Sequence, residues 1–191
     1  ITQPWAETVC GNAVRIDSIV NGNGSFMGIP SGYHNMDEIL LGFKESEMTI
    51  LAARPSMGKT ALALNIAERI ALGQTSDRTP RPVGVFSLEM SADSLVLRML
   101  CSHAKVPSHA LTRGMISSGQ HRRINTTAQV LSKAPIYVDD TGGLEIEGLR
   151  ARARRLVKKN EVAIIIIDYL QLVRLKGLEH RSRNEEVSAV S

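Results

Sequence analysis

"LAARPSMGKT", residues 51–60, decides the fold. It ends in Gly58, Lys59 and Thr60, the close of a phosphate-binding loop of the form G-x-x-x-x-G-K-[ST]. Ala53 stands where that pattern opens with glycine. The run "EMTILAA" leading into it is short and apolar and predicts a buried strand. The run "TALALNIAERIALG" leading out places Leu62, Ile66 and Ile70 at every fourth position before Gly73, which predicts a helix and its stop. A strand before the loop and a helix after it are the context a phosphate loop requires. Backbone N–H groups there curl around phosphates at the positive end of the helix. Gly58 leaves room for that approach, Lys59 adds a cation, and Thr60 offers a hydroxyl to Mg2+. The first position mainly lets the chain turn, so Ala53 is compatible if its backbone is not left-handed.

The pattern continues on both sides. "SGYHNMDEILLGF" carries Met36, Ile39 and Leu40 at helical spacing, ended by Gly42. After a polar loop at 74–82, "VGVFSLEM" reads as a buried strand and "SADSLVLRMLCSHA" as a helix with Ser91 at its N-cap. "ISSGQHRRINTTAQVLSKA" contains a helix, "PIYVDD" is a strand closed by two acids, and "EIEGLRARARRLVKKN" is a basic helix. "EVAIIIIDYLQLV" is a strand with apolar residues on both faces. Strands alternating with helices predict an α/β domain with a mainly parallel sheet flanked by helices. Residues 1–26 read as an N-terminal arm or linker, with "NGNGS" at 21–25 flexible by composition, and residues 27–191 read as the domain.

The bulk numbers fit. The chain has 191 residues, enough for one sizeable core, with 43% hydrophobic and 22% charged residues. Aromatics are only 4%, so aliphatic residues and Met must fill the core. A net charge of +4 is a weak hint of a polyanionic partner. The longest apolar run, 162–167, is far short of the roughly 18 residues of a membrane span. Cys10 and Cys101 could form one disulfide, but two scattered cysteines without a signal peptide fit a reducing cytosol better. The chain begins at Ile1 and reads as a fragment of a longer one.

A phosphate loop needs a partner acid at the end of a neighbouring apolar strand to hold the metal's water shell. Four isoleucines followed by Asp168 supply it, at the carboxyl edge where open α/β sheets bind ligands. Hydrolysis also needs a group that orients or deprotonates water. Glu89, just past another strand, fits that role, and it equally fits an acid facing a helix dipole. Asp139 and Asp140 end a strand in the same way, but the adjacent "TGG" favours turn duty for them.

"GIPSGYHNMDEILLGF", "ILAARPSMGKTALALNIA", "VFSLEMSADSLVLRML", "IYVDDTGGLEIEGLRARARRL" and "IIIIDYLQLV" occur in the order seen in the DnaB-type replicative DNA helicases. The resemblance runs from about Gly28 to Ser191 and implies part of the C-terminal, RecA-like motor domain. It further implies a hexameric ring on single-stranded DNA, with ATP hydrolysis coupled to 5′-to-3′ translocation and unwinding at the bacterial replication fork. By resemblance, residues Arg54, Pro55, Ser56, Met57, Gly58, Lys59, Thr60 and Ala61 bind ATP, and Thr60 and Asp168 hold Mg2+. Lys59 and Glu89 become the catalytic pair, with Glu89 activating the attacking water. The family tolerates alanine at the place of Ala53. Primase and a helicase loader are the implied partners, the cytoplasm the implied location, and no membrane is involved.

"RLKGLEHRSRNEE" supplies Arg174, Lys176, His180, Arg181 and Arg183, a loop that either grips DNA phosphates or is simply solvated. The cations of the basic helix go around it, which favours a solvated or subunit-facing role over DNA contact. The resemblance also implies a further strand, between those of the phosphate loop and of Asp168, from sequence following Ser191. Rival readings are a RecA-type recombinase or clock-type ATPase on the same fold, and a scaffold that holds nucleotide without hydrolysis.

Overall fold

The apolar run at 83–87 forms β1 (Val83–Ser87), and all five of its residues are buried. β1 lies between β2 (Ile136–Asp139) and β3 (Ile164–Asp168) and runs parallel to both. Val83 pairs with Ile136 on one side and with Ile164 on the other, and the second ladder ends with Ser87 beside Asp168. Parallel neighbours cannot be joined by a hairpin, so each crossover carries helices that cover the sheet. These are α4 (Ala92–Ala104), α5 (Ser108–Thr112) and α6 (Ser118–Leu131) between β1 and β2, and α7 (Ile146–Asn160) between β2 and β3, while α3 (Lys59–Ala71) precedes β1 and packs against all three strands. The computed structural model describes residues 4–21, 28–54 and 56–169, in two units, Ile1–Thr49 and Ile50–Ser191.

Both faces of β1 are covered. Phe86 and Leu88 pack with Leu144 and Leu149, flanked by Ile146, Ala153, Ile165 and Ile167. Gly84 shares that face by strand alternation, and a Cβ there would lie 2.6 Å from a Leu156 methyl, so glycine lets α7 sit close. Val83 and Val85 turn the other way, towards the side where α3 crosses the strands and buries Leu64, Ile66, Ala67 and Ile70. Each of the Val, Leu and Ile side chains among these contributes about 1.5–3 kcal/mol relative to exposure.

Local signals set the helix ends as expected. Ser91 caps α4 by accepting from the Ser94 N–H at 3.4 Å. Gly73, with φ 65°, follows the last turn of α3. Ser117 and Gln120 form a reciprocal capping box at α6. α3 and α4 are joined by a Ser102–Asn65 hydrogen bond of 3.2 Å and by a bond between His103 Nδ1 and Glu68 Oε1.

In the first unit, the stretch read as an arm contains α1 (Trp5–Val20), and α2 (His34–Leu40) follows as the spacing predicts. Ile29 and Phe43 exchange backbone hydrogen bonds of 2.8 Å, and buried Asp37 accepts from the N–H groups of Ser31 and Gly32. Most of "NGNGS" lies outside the described residues.

One expectation is overturned. "EMTILAA" is not a strand: residues 47–53 are exposed and have no ladder partner among the described residues. A strand exists only where its N–H and C=O groups find partners, and among the described residues β1 accepts β2 and β3 and no strand lies beyond β3. For the same reason Ile164, Ile165, Ile166 and Ile167 are half-buried, where the sequence implied full cover. α5 has no counterpart in the sequence reading. Among the described residues no helix is long and apolar enough to cross a membrane, and Cys10 and Cys101 are both free.

Candidate nucleotide site

Because the strands are parallel, Ser87, Asp139 and Asp168 all finish on one edge of the sheet. Asp168 is 8% exposed there. A carboxylate this buried must be paired. Thr60 Oγ1 donates to its Oδ2 at 2.6 Å, and Lys59 Nζ stands 4.0 Å from its Oδ1. Lys59 Nζ also lies 4.5 Å from the centre of the Tyr169 ring, an attraction between a cation and a π face. Residues 108 apart in sequence are thus brought to one point.

The start of α3 explains how. Gly58 is its N-cap, with φ 86° and no side chain capping the helix, so the first N–H groups of α3 are left to meet another acceptor. A Cβ on Gly58 would meet nothing within 4 Å. The space over the loop is open, and the positive φ is a second demand on glycine that the sequence reading did not include. Ser56, at φ 65°, makes the other left-handed turn of the loop, and Ala53 is not among the residues with positive φ. That meets the condition under which alanine suits the first position. The Met57 N–H donates to the Arg54 carbonyl at 3.3 Å, and Arg54, Ser56, Met57 and Ala61 are exposed. Pro55 lies outside the described residues.

Glu89 sits two positions past the Ser87–Asp168 pair, exposed on the same edge. Its loop is held from inside by buried Ser87, whose hydroxyl donates to the Met90 carbonyl at 2.6 Å and accepts from the Met90 N–H at 3.3 Å. The Leu88 N–H donates to the Asp168 carbonyl at 2.8 Å, extending the ladder towards Glu89.

The two acids after β2 part company. Asp139 accepts from the Thr141 N–H at 3.1 Å and from Arg152 Nη1 at 3.2 and 2.9 Å. Burial works to raise its pKa, but hydrogen bonds from Thr141 and Arg152 outweigh it and hold the carboxyl below its ordinary value. That is the turn duty expected of it. Asp140 accepts instead from the Ala92 N–H at the start of α4, at 2.8 Å. Arg152, read as a solvated or subunit-facing cation, has an internal partner. Neither the Asp140 bond nor the Tyr169 contact had a sequence signal, since the first joins positions 48 apart and the second depends on the path of the chain after β3. Arg174, Lys176, His180, Arg181 and Arg183 lie outside the described residues.

Among curated proteins, the replicative DNA helicase DnaB of Geobacillus stearothermophilus is 40% identical over 177 residues, covering 93% of this chain and 38% of the relative. That of Rickettsia prowazekii is 41% identical over 189 residues, covering 96% and 39%. The chain thus spans under two fifths of the length of the curated relatives it matches. Among solved structures, an ATPase domain matches the whole chain at TM-score 0.84 and 24% identity over 65% of its own length. A DnaB-like replicative helicase, solved for its interactions with primase, matches at TM-score 0.78 and 25% identity, over 44% of its length. The fold is that of a RecA-like ATPase domain, a parallel sheet flanked by helices. The family described as DnaB-like helicase C terminal domain matches residues 28–191, and the chain belongs to it.

Proposed function

We propose that the chain is part of the ATP-hydrolysing motor of a replicative DNA helicase, with residues 27–191 forming an incomplete RecA-like ATPase domain and residues 1–26 an arm leading into it. The observation that carries this reading is the meeting of Lys59, Thr60 and Asp168 at the carboxyl edge, with Thr60 Oγ1 2.6 Å from Asp168. A cation, a hydroxyl and a carboxylate beside an uncapped helix start are the donor set for a nucleotide's phosphates and their metal ion. The N–H groups of α3 and the Lys59 ammonium hold the β- and γ-phosphates. Thr60 and Asp168 are the residues that would hold Mg2+, which when bound would neutralise charge on the phosphate oxygens. Glu89 orients a water and takes its proton as the water oxygen attacks the γ-phosphorus, and ADP leaves with the electrons of the broken P–O bond.

In this reading the domain works as a hexameric ring that translocates 5′ to 3′ on single-stranded DNA in the bacterial cytoplasm. Arg174, Lys176, Arg181 and Arg183 grip DNA phosphates, and primase and a helicase loader are partners. The similarity to a helicase solved for its interactions with primase supports the primase partner. The test is Lys59→Ala in the assembled helicase. Losing a charge aimed at the reacting phosphates should slow ATP hydrolysis by roughly 10²- to 10³-fold. Hydrolysis and forked-DNA unwinding at the unaltered rate would sink the assignment.

A further inference from the structure

We infer that Asp140 is a positioning residue for Glu89, setting the reach of that side chain towards the water it activates. The inference rests on the proposed role of Glu89. Four observations carry it. First, Glu89 lies on the loop that joins β1 to α4, and that loop is bonded to both neighbouring strands at their carboxyl ends. On the β3 side the bond is backbone to backbone, from Leu88 N–H to Asp168 C=O at 2.8 Å. On the β2 side it is the Asp140 carboxylate, accepting from Ala92 N–H at 2.8 Å.

Second, α4 already has a cap of its own. Ser91 accepts from the Ser94 N–H, so the helix start does not depend on a residue 48 positions away. What Asp140 adds is a tether between the far end of the Glu89 loop and β2. Third, β2 is a firm anchor. Asp139, the preceding residue, is clamped by Arg152 and Thr141, which joins the end of β2 to α7. Fourth, the middle of the loop is pinned by the Ser87 hydroxyl on Met90, so the span free to move is short. With the β3 side fixed by Asp168, releasing the β2 side lets the first turn of α4 shift within the slack of the Ser87–Met90 bonds, and Glu89, next to Met90, shifts with it. The contacts that hold phosphate, on Gly58, Lys59 and Thr60, belong to another loop and are not disturbed.

The test separates positioning from simple helix capping. It is run on the assembled helicase, reading single-turnover ATP cleavage, affinity for a non-hydrolysable ATP analogue, and melting temperature. Asp140→Ala should slow cleavage by roughly 10- to 100-fold, the cost of about an ångström of misplacement, with analogue affinity unchanged. Asp140→Asn keeps a carbonyl oxygen for the Ala92 N–H and should restore most of the rate. Ser91→Ala removes the helix's own cap and should lower the melting temperature without that rate loss. Equal rate losses in the Asp140→Ala and Ser91→Ala proteins, or an unaltered rate in Asp140→Ala, would make Asp140 a cap alone and overturn the inference. If Asp140→Ala does not fold, Asp140→Glu decides: slower cleavage at the native melting temperature supports positioning, and an unaltered rate refutes it. Glu89→Gln is measured alongside. Unaltered cleavage in that protein overturns the role of Glu89 itself, which is a different failure from that of Asp140.

Discussion

Residues 47–53 and β3 (Ile164–Asp168) are both apolar runs that lead to a residue of the candidate nucleotide site. One stays out of the sheet, and the other is a strand. Their compositions do not explain this, since "MTILAA" is about as apolar as a strand needs. What differs is hydrogen bonding and cover. Each residue from Ile164 to Asp168 has a partner in β1, and Ile165 and Ile167 pack on the cluster of Phe86, Leu88, Leu144 and Leu149. Among the described residues Ile50 and Leu51 have no such ladder, and they are 65% and 40% exposed. An apolar run is a candidate strand, and a neighbour's backbone makes it one.

The largest effect expected follows from the residue at the centre of the favoured side. Phe86, 1% exposed, joins β1 to the cover provided by α7. Phe86→Ala should cost about 3–5 kcal/mol in a denaturant titration, the usual range for emptying a buried aromatic site. A loss under about 1 kcal/mol would mean that the sheet does not depend on this cluster, and the contrast with residues 47–53 would lose its basis.

This contrast also shows which parts of the molecule were legible in sequence. Ser91 and Gly73 act on backbone within a few residues, so the ends of α4 and α3 could be read directly. Val83–Ser87 is apolar on both faces and central, so the expected burial came out complete. Asp168 could be placed in advance because a parallel sheet sends every strand's carboxyl end to one edge, and Lys59 and Thr60 because their motif marks the start of a helix. Two kinds of information were missing. Pairing order is not written in a run of isoleucines, so "EMTILAA" was given a strand it does not form and β3 a burial it does not reach. Side-chain bonds across 48 positions have no local pattern, so Asp140 and Asp139 looked equivalent until their partners were seen to be different helices.

A paired substitution sharpens the comparison at intermediate size. Ile165→Ala removes a branched side chain that packs on the Phe86 cluster and should cost about 2 kcal/mol. Ile50→Ala removes one that is 65% exposed and should change stability by no more than about 0.5 kcal/mol. Amide exchange would read the same difference without mutation, with slow exchange along β3 and fast exchange at 50–53. Equal stability losses in the two variants would show that residues 50–53 are packed as firmly as β3.

The smallest effect concerns the other flank of β1, where β2 is fixed at its end by the Arg152–Asp139 pair. Hydrogen bonds from Thr141 and Arg152, overcoming the effect of burial, lower the Asp139 pKa in the folded protein. A carboxyl whose folded pKa is depressed binds fewer protons when folded, so its contribution is fully present above the unfolded value of about 4 and fades as pH falls through the folded value. Arg152 is 42% exposed in its side chain, so water screens the pair and its worth stays under about 1 kcal/mol. Arg152→Ala should therefore lower stability slightly at pH 7, and the difference from the unaltered protein should shrink below about pH 4 as Asp139 takes up its proton. A melting difference that persists unchanged into that acid range would assign the effect to lost packing of the Arg152 stem, and β2 would then be held by its ladder with β1 alone.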